Sequence, residues 1–245
     1  MTAVDVWLLA EADVPRLAGS LAPHRLLSGA ERRRLERMHS PGGRVRYLGA
    51  RLLCRGVLAA RIGCDPAALG FAVGPFGRPE LSPNPWRLRF NLSATDGLLA
   101  CVVVPDRLCG IDVEGFPLNP DAVRFGSQWL APAERARLAG LDGRPRSSEF
   151  VDTWVLKEAY AKALGAGMRH RFEAFMIDRT PGGRVLLTDP TRPAGETGRW
   201  QFLLCAAGRS HRLAVAVRRN ADDAAELPAR IREFELDKAF RDTTP

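Results

Sequence analysis

Glu149-Phe150-Val151-Asp152-Thr153-Trp154-Val155-Leu156-Lys157-Glu158-Ala159-Tyr160-Ala161-Lys162-Ala163-Leu164 is the stretch on which the fold turns. Its period is helical. Trp154, Glu158, Ala161, Lys162 and Gly165 fall on one face, and the turn before them can be capped by Ser147 or Ser148. Glu149 and Asp152 suit the positive end of the helix dipole. The expected helix runs on to the small Gly165-Ala166-Gly167 end, where another backbone can come close. Working outward, Arg44 to Ile62 reads as a second helix, with Tyr47, Arg51 and Arg55 at four-residue steps.

Each helix is followed by a β-hairpin signal. The first is Trp86–Leu92, a Ser93-Ala94-Thr95-Asp96-Gly97 turn and Leu98–Val104; the second is Trp200–Cys205, an Ala206–Ser210 turn and His211–Val217. The repeat predicts an α+β fold built by pseudo-twofold duplication, each half a long helix packed on a small antiparallel sheet. The expected halves are 1–106 and 107–245. Leu26 to Met38 reads as a basic helix capped by Ser28, Arg179 to Arg199 as a long hairpin or loop, and Ala221 to Pro245 as a peripheral helix with a frayed tail.

The composition bounds the partners. The chain of 245 residues has a formal charge of +8, which favours acidic or phosphorylated ligands. Its three lysines, at 157, 162 and 238, stand among many arginines, so two of them five residues apart suggest a site for a compact ammonium. No apolar run approaches the ~20 residues of a membrane span, and the first residues do not read as a signal peptide, so a cytoplasmic protein without a membrane partner is expected. Five dispersed cysteines read as reduced thiols, and the four scattered histidines lack zinc spacing. Basic residues without interleaved aromatics argue against a nucleic-acid partner.

Gly110-Ile111-Asp112-Val113-Glu114 alternates apolar and acidic residues. On a strand, Asp112 and Glu114 share one face, where two carboxylates repel unless a cation neutralises them. Neighbouring carboxylates completed by a substrate phosphate are the usual setting for Mg²⁺, and a third carboxylate beside a lysine, Glu158 with Lys162, suits a metal-bound diphosphate. Each signal alone has a plainer reading, a solvated strand face or an i,i+4 ion pair. A metal-dependent nuclease would usually place its Glu and Lys two apart on a strand; here they are four apart on a helix.

These two motifs, Gly110-Ile111-Asp112-Val113-Glu114 and Trp154-Val155-Leu156-Lys157-Glu158-Ala159-Tyr160-Ala161-Lys162, resemble the signatures of 4′-phosphopantetheinyl transferases of the surfactin-synthetase-activating type. Gly77-Arg78-Pro79, Phe90-Asn91-Leu92-Ser93-Ala94-Thr95 and Arg44–Arg55 are similar to further elements of that family, so the likeness runs from about Leu27 to Val217. The resemblance implies Mg²⁺ held by Asp112, Glu114 and Glu158 with the coenzyme A pyrophosphate. It implies coenzyme A phosphate contacts from Arg46, Arg78, Ser93 and Lys157, and Lys162 on the bridging pyrophosphate. Arg51 is added from its helix position. Glu158 and Lys162 are the expected catalytic residues, and the expected acceptor is an apo acyl or peptidyl carrier protein of fatty-acid, polyketide or nonribosomal-peptide synthesis. A monomer is expected. Ala94 stands where the family usually has a phosphate-holding histidine, a loss of about 1.5–3 kcal/mol for one charge-assisted hydrogen bond. A homologue that binds carrier protein or coenzyme A without efficient transfer is the alternative.

Overall fold

The computed structural model describes residues 2–74, 77–165, 170–223 and 225–235. Two compact units are formed, one by Met1–Asp106 with Ala229–Pro245, the other by Arg107–Pro228. One joint between the units lies at Asp106–Arg107. The second crossing differs: Ala229–Glu233 forms a strand of the first unit. The expected helix at the end of the chain is therefore corrected to a strand, and residues 236–245 lie outside the described residues.

The first unit begins with strand β1 (Val4–Ala10), followed by helices α1 (Val14–Leu21), α2 (Pro23–Leu26), α3 (Gly29–Glu36) and α4 (Pro41–Ile62). Ser28 caps α3 as expected, through a reciprocal box in which Glu31 N donates to Ser28 Oγ at 3.2 Å and Ser28 N to Glu31 Oε2 at 2.9 Å. A short hairpin follows, β2 (Phe71–Val73) with β3 (Pro79–Leu81), then β4 (Leu88–Thr95) and β5 (Leu98–Pro105). The turn between β4 and β5 is only Asp96-Gly97, because Ser93 to Thr95 continue the ladder against Leu98 to Ala100. Gly97 takes φ +87°, which its lack of a Cβ permits. The main sheet has the order β11-β1-β5-β4, with β11 (Ala229–Glu233) parallel to β1. Leu52, Leu53, Val57 and Leu58 of α4 pack with Leu99, Cys101 and Val103 of β5 in its core.

The second unit repeats the plan. Strand β6 (Cys109–Gly115) is followed by helices α5 (Pro120–Gly126), α6 (Pro132–Ala139) and α7 (Gly143–Leu164), a hairpin of β7 (Met176–Arg179) and β8 (Val185–Thr188), and then β9 (Trp200–Ala207) and β10 (His211–Arg218). The sheet order is β6-β10-β9, antiparallel throughout. Helix α7 spans 22 residues and starts at Gly143, so Ser147 and Ser148 lie inside it, not at its cap. Ser147 Oγ instead accepts from Leu118 N at 3.0 Å. The helix closes at Gly165, φ +73°, and Ala166-Gly167 lie outside the described residues.

Gly110 sets how closely β6 meets α7. A Cβ there would stand 2.0 Å from Ala159 O and 2.5 Å from Ala163 N, both helix backbone. Neither can swing aside as a side chain could. Gly110→Ala is therefore expected to destabilise the chain by about 2 kcal/mol, within the usual range for overpacking, read as a lower urea midpoint.

Candidate active site

Alternation along β6 puts Gly110, Asp112 and Glu114 on one face. That face looks onto α7, as the close approach of Gly110 to Ala159 and Ala163 shows. Lys162 lies one turn beyond Glu158 on the helix, and its Nζ donates to Asp112 Oδ1 at 2.5 Å. Asp112 is nearly fully buried, whereas a quarter of the Lys162 side chain remains exposed. The ammonium thus bridges helix and strand at the edge of solvent.

Glu158 shares this field. Burial pushes its carboxyl up from an ordinary 4.5 to about 7; the charges of Asp112 and Glu114 push the same way, and Lys162 opposes them. Three carboxylates sense one another across the strand and the helix, with one ammonium among them. A raised carboxyl pKa of this kind in a carboxylate cluster marks a place suited to a cation or a proton transfer. The shift also has a sign for stability. Protonation favours the folded chain, so this contribution is complete below about pH 4.5 and lost as pH rises through about 7. Melting temperatures from pH 5 to pH 8 are expected to fall more steeply for the metal-free wild type than for Glu158→Gln, and parallel curves would refute the assignment.

Asp112 and Glu158 offer the hard oxygens that Mg²⁺ takes from one or two carboxylates, leaving substrate phosphate to complete its shell. Glu114 contributes charge from the next position on the same face. Among the described residues no group of three or more His, Cys, Asp or Glu side chains stands ready as a metal cage. The donor chemistry fits the ion; a preformed three-ligand set is not what the side chains show.

Lys157 is corrected. It is fully buried, and its ammonium donates to Glu134 Oε1 at 2.9 Å, Glu134 Oε2 at 2.7 Å and Phe175 O at 2.6 Å. Three donations use its three N–H bonds, so none is left for a phosphate. Glu134 of α6 was not singled out in the sequence, where Ala133-Glu134-Arg135-Ala136 looks like any exposed helix. It also accepts from Ala131 N and Ile177 N, each at 2.8 Å. Helical spacing held the missing signal: Lys157 sits between Thr153 and Tyr160 on the apolar face, not on the face of Glu158.

The other expected phosphate contacts belong to the first unit. Arg46 pairs with Glu11 at 3.3 Å and also with Asp96. Arg51 lies 3.8 Å from Glu31 and stacks over Tyr47 at 5.0 Å. Arg78 donates to Phe90 O at 2.8 Å, and Ser93 is buried on β4 beside the exposed Ala94. A second feature absent from the sequence reading is the anchoring of the strand after Glu114. Arg212, opposite Glu114 in the ladder, stacks over Phe116 at 4.3 Å and donates to Asp152 of α7 at 3.1 Å.

Residues 108–216, which carry this strand and helix, match the family model described as the 4′-phosphopantetheinyl transferase superfamily. The chain is 30% identical over 202 residues to the slr0495 protein of Synechocystis sp., which is named as a 4′-phosphopantetheinyl transferase; the match covers 81% of this chain and 78% of that one. The chain belongs to the 4′-phosphopantetheinyl transferase superfamily. The 4′-phosphopantetheinyl transferase HetI of Nostoc sp. is 31% identical over 157 residues, 63% of this chain and 66% of its own. The 4′-phosphopantetheinyl transferase Sfp of Bacillus subtilis is 22% identical over 164 residues, 67% and 71% of the two chains. The protein is accordingly an enzyme, a phosphopantetheinyl transferase, and no helix among its described residues is long and apolar enough to cross a membrane.

Proposed function

We propose that this transferase moves the 4′-phosphopantetheine group of coenzyme A to a serine hydroxyl of an apo acyl or peptidyl carrier protein, releasing 3′,5′-ADP, with Mg²⁺ as cofactor. The observation that carries the reading is the bridge of Lys162 to Asp112 with Glu158 in the same negative field. A bare pair of carboxylates would repel a diphosphate. A carboxylate set that holds an ammonium at its rim, and has room in its charge for a cation, receives one.

Lys162 places a positive charge where the bridging and phosphoryl oxygens of the pyrophosphate gain charge as the serine oxygen attacks the β-phosphorus. Glu158, directly or through a water on the metal it would help to hold, is the base that takes the serine proton. Asp112 orients Lys162. Asp112, Glu114 and Glu158 would hold Mg²⁺, which when bound would supply Lewis-acid stabilisation of phosphoryl charge. Arg46, Arg78 and Ser93 are the proposed phosphate contacts of the first unit, with Arg51 as an addition. A basic chain of charge +8 suits an acidic carrier surface.

Incubation with coenzyme A, Mg²⁺ and a panel of apo carrier proteins is the test, read by intact mass. A phosphopantetheine adduct on at least one carrier is expected, and its absence from all of them overturns the proposal. Ala94, exposed on β4 without a phosphate-binding side chain, is the observation behind a second reading, a homologue that binds without transferring. The same measurement separates the two.

A further inference from the structure

The face of α7 turned away from Glu158 and Lys162 carries a second polar device. Tyr160 is fully buried, ringed by Trp200 at 4.8 Å, Phe175 at 5.2 Å, His170 at 5.7 Å and Phe202 at 6.4 Å between ring centroids. Its hydroxyl donates to Asp189 Oδ2 at 2.8 Å. Asp189 follows β8, and its carboxylate has no exposed surface. The other oxygen accepts from Thr191 N at 2.9 Å and Thr191 Oγ1 at 2.6 Å. His170 Nε2 and Arg192 Nε stand 3.6 and 3.7 Å from Oδ2.

We propose that Asp189 and Tyr160 form a clamp that sets the axial position and rotation of α7, and so act as positioning residues for Glu158 and Lys162. Tyr160 lies midway between those two in sequence, and a helix of fixed 1.5 Å rise passes any slide at 160 directly to 158 and 162. Apolar packing alone would hold such a helix more loosely, since a smooth buried face tolerates small slides. A buried hydrogen bond to a charge has one good geometry, and buried charged groups are better suited to fixing register than to adding stability. Asp189 is itself held by Thr191, so the anchor does not follow the helix. Displacement of a reacting group by about 1 Å can cost about a hundredfold in rate.

This inference rests on the transfer reading, and two measurements keep the two apart. In Tyr160→Phe the ring stays and only the hydroxyl goes. Its kcat is expected to fall about tenfold with KM for coenzyme A within about twofold of the wild type. Asp189→Asn, which keeps an acceptor oxygen, is expected to lose less kcat than Asp189→Ala. A kcat within about twofold of wild type in Tyr160→Phe, or a loss matched by an equal change in KM, overturns the clamp. Amide hydrogen exchange is read on the same variants without any reaction. Tyr160→Phe is expected to speed exchange about tenfold at residues 158–164, with β9 and α6 unchanged. That local loosening in a chain that transfers nothing would support the clamp while sinking the transfer reading; unchanged exchange would overturn the clamp.

Discussion

Replacing Glu134 with leucine is expected to cost about 3–5 kcal/mol of stability, the range for removing one partner of a buried ion pair. Lys157 has no exposed surface and Glu134 only 1%. The lone ammonium would keep Phe175 O but lose both carboxylate oxygens, while Ala131 N and Ile177 N lose their acceptor as well. Desolvation already lowers the proton affinity of Lys157, with Glu134 working against it; without Glu134 the lysine is free to go neutral and part of the cost is relieved. Urea denaturation checks the value. The pair Glu134→Leu with Lys157→Met is expected to recover a large part of the loss, because an apolar pair asks for no charge in the interior. A cost below about 1 kcal/mol for the single change would mean that the pair is not closed in solution.

Lys162→Ala is expected to lower kcat/KM for transfer from coenzyme A about 10²–10³-fold, the usual effect of removing one donor aimed at developing charge. Initial rates with an active carrier protein measure it. Lys162→Arg is expected to restore only part of the rate, since a planar fork does not place charge as a compact ammonium does. The fold should survive, because a quarter of the Lys162 side chain faces water. Loss of activity together with loss of the folded baseline would assign Lys162 to structure instead.

The contrast between these lysines shows what the sequence held. The helical period and the alternation of Asp112 and Glu114 decided which face each of these side chains takes, while their meeting in one site was implied only by the family resemblance. The role of Lys157 was not legible, for its partner lies 23 residues away on another helix, and pairing at that range is a property of packing. Asp189 escaped for the same reason, sitting among Thr, Pro and Arg that read as a loop. The strand at Ala229–Glu233 was hidden by its composition. Ala229-Arg230-Ile231-Arg232-Glu233 is exposed along its length, so burial left no alternating pattern to find. Its place comes from backbone pairing with β1 and from Arg232 donating to Asp5 at 2.9 Å, contacts across more than two hundred residues.

That last strand has a consequence for how the chain is made. β1 leaves the ribosome well before β11, with the whole second unit made between them. Until residues 229–233 emerge, one edge of β1 has only solvent or some other chain for company, and an open strand edge is an invitation to mispairing. The first unit can build its helices and the β1-β5-β4 ladder early, yet its sheet is finished only after the whole second unit has been translated. Synthesis therefore proceeds with a half-closed sheet waiting for residues 229–233 to return, and a protease acting too soon would leave that seam open.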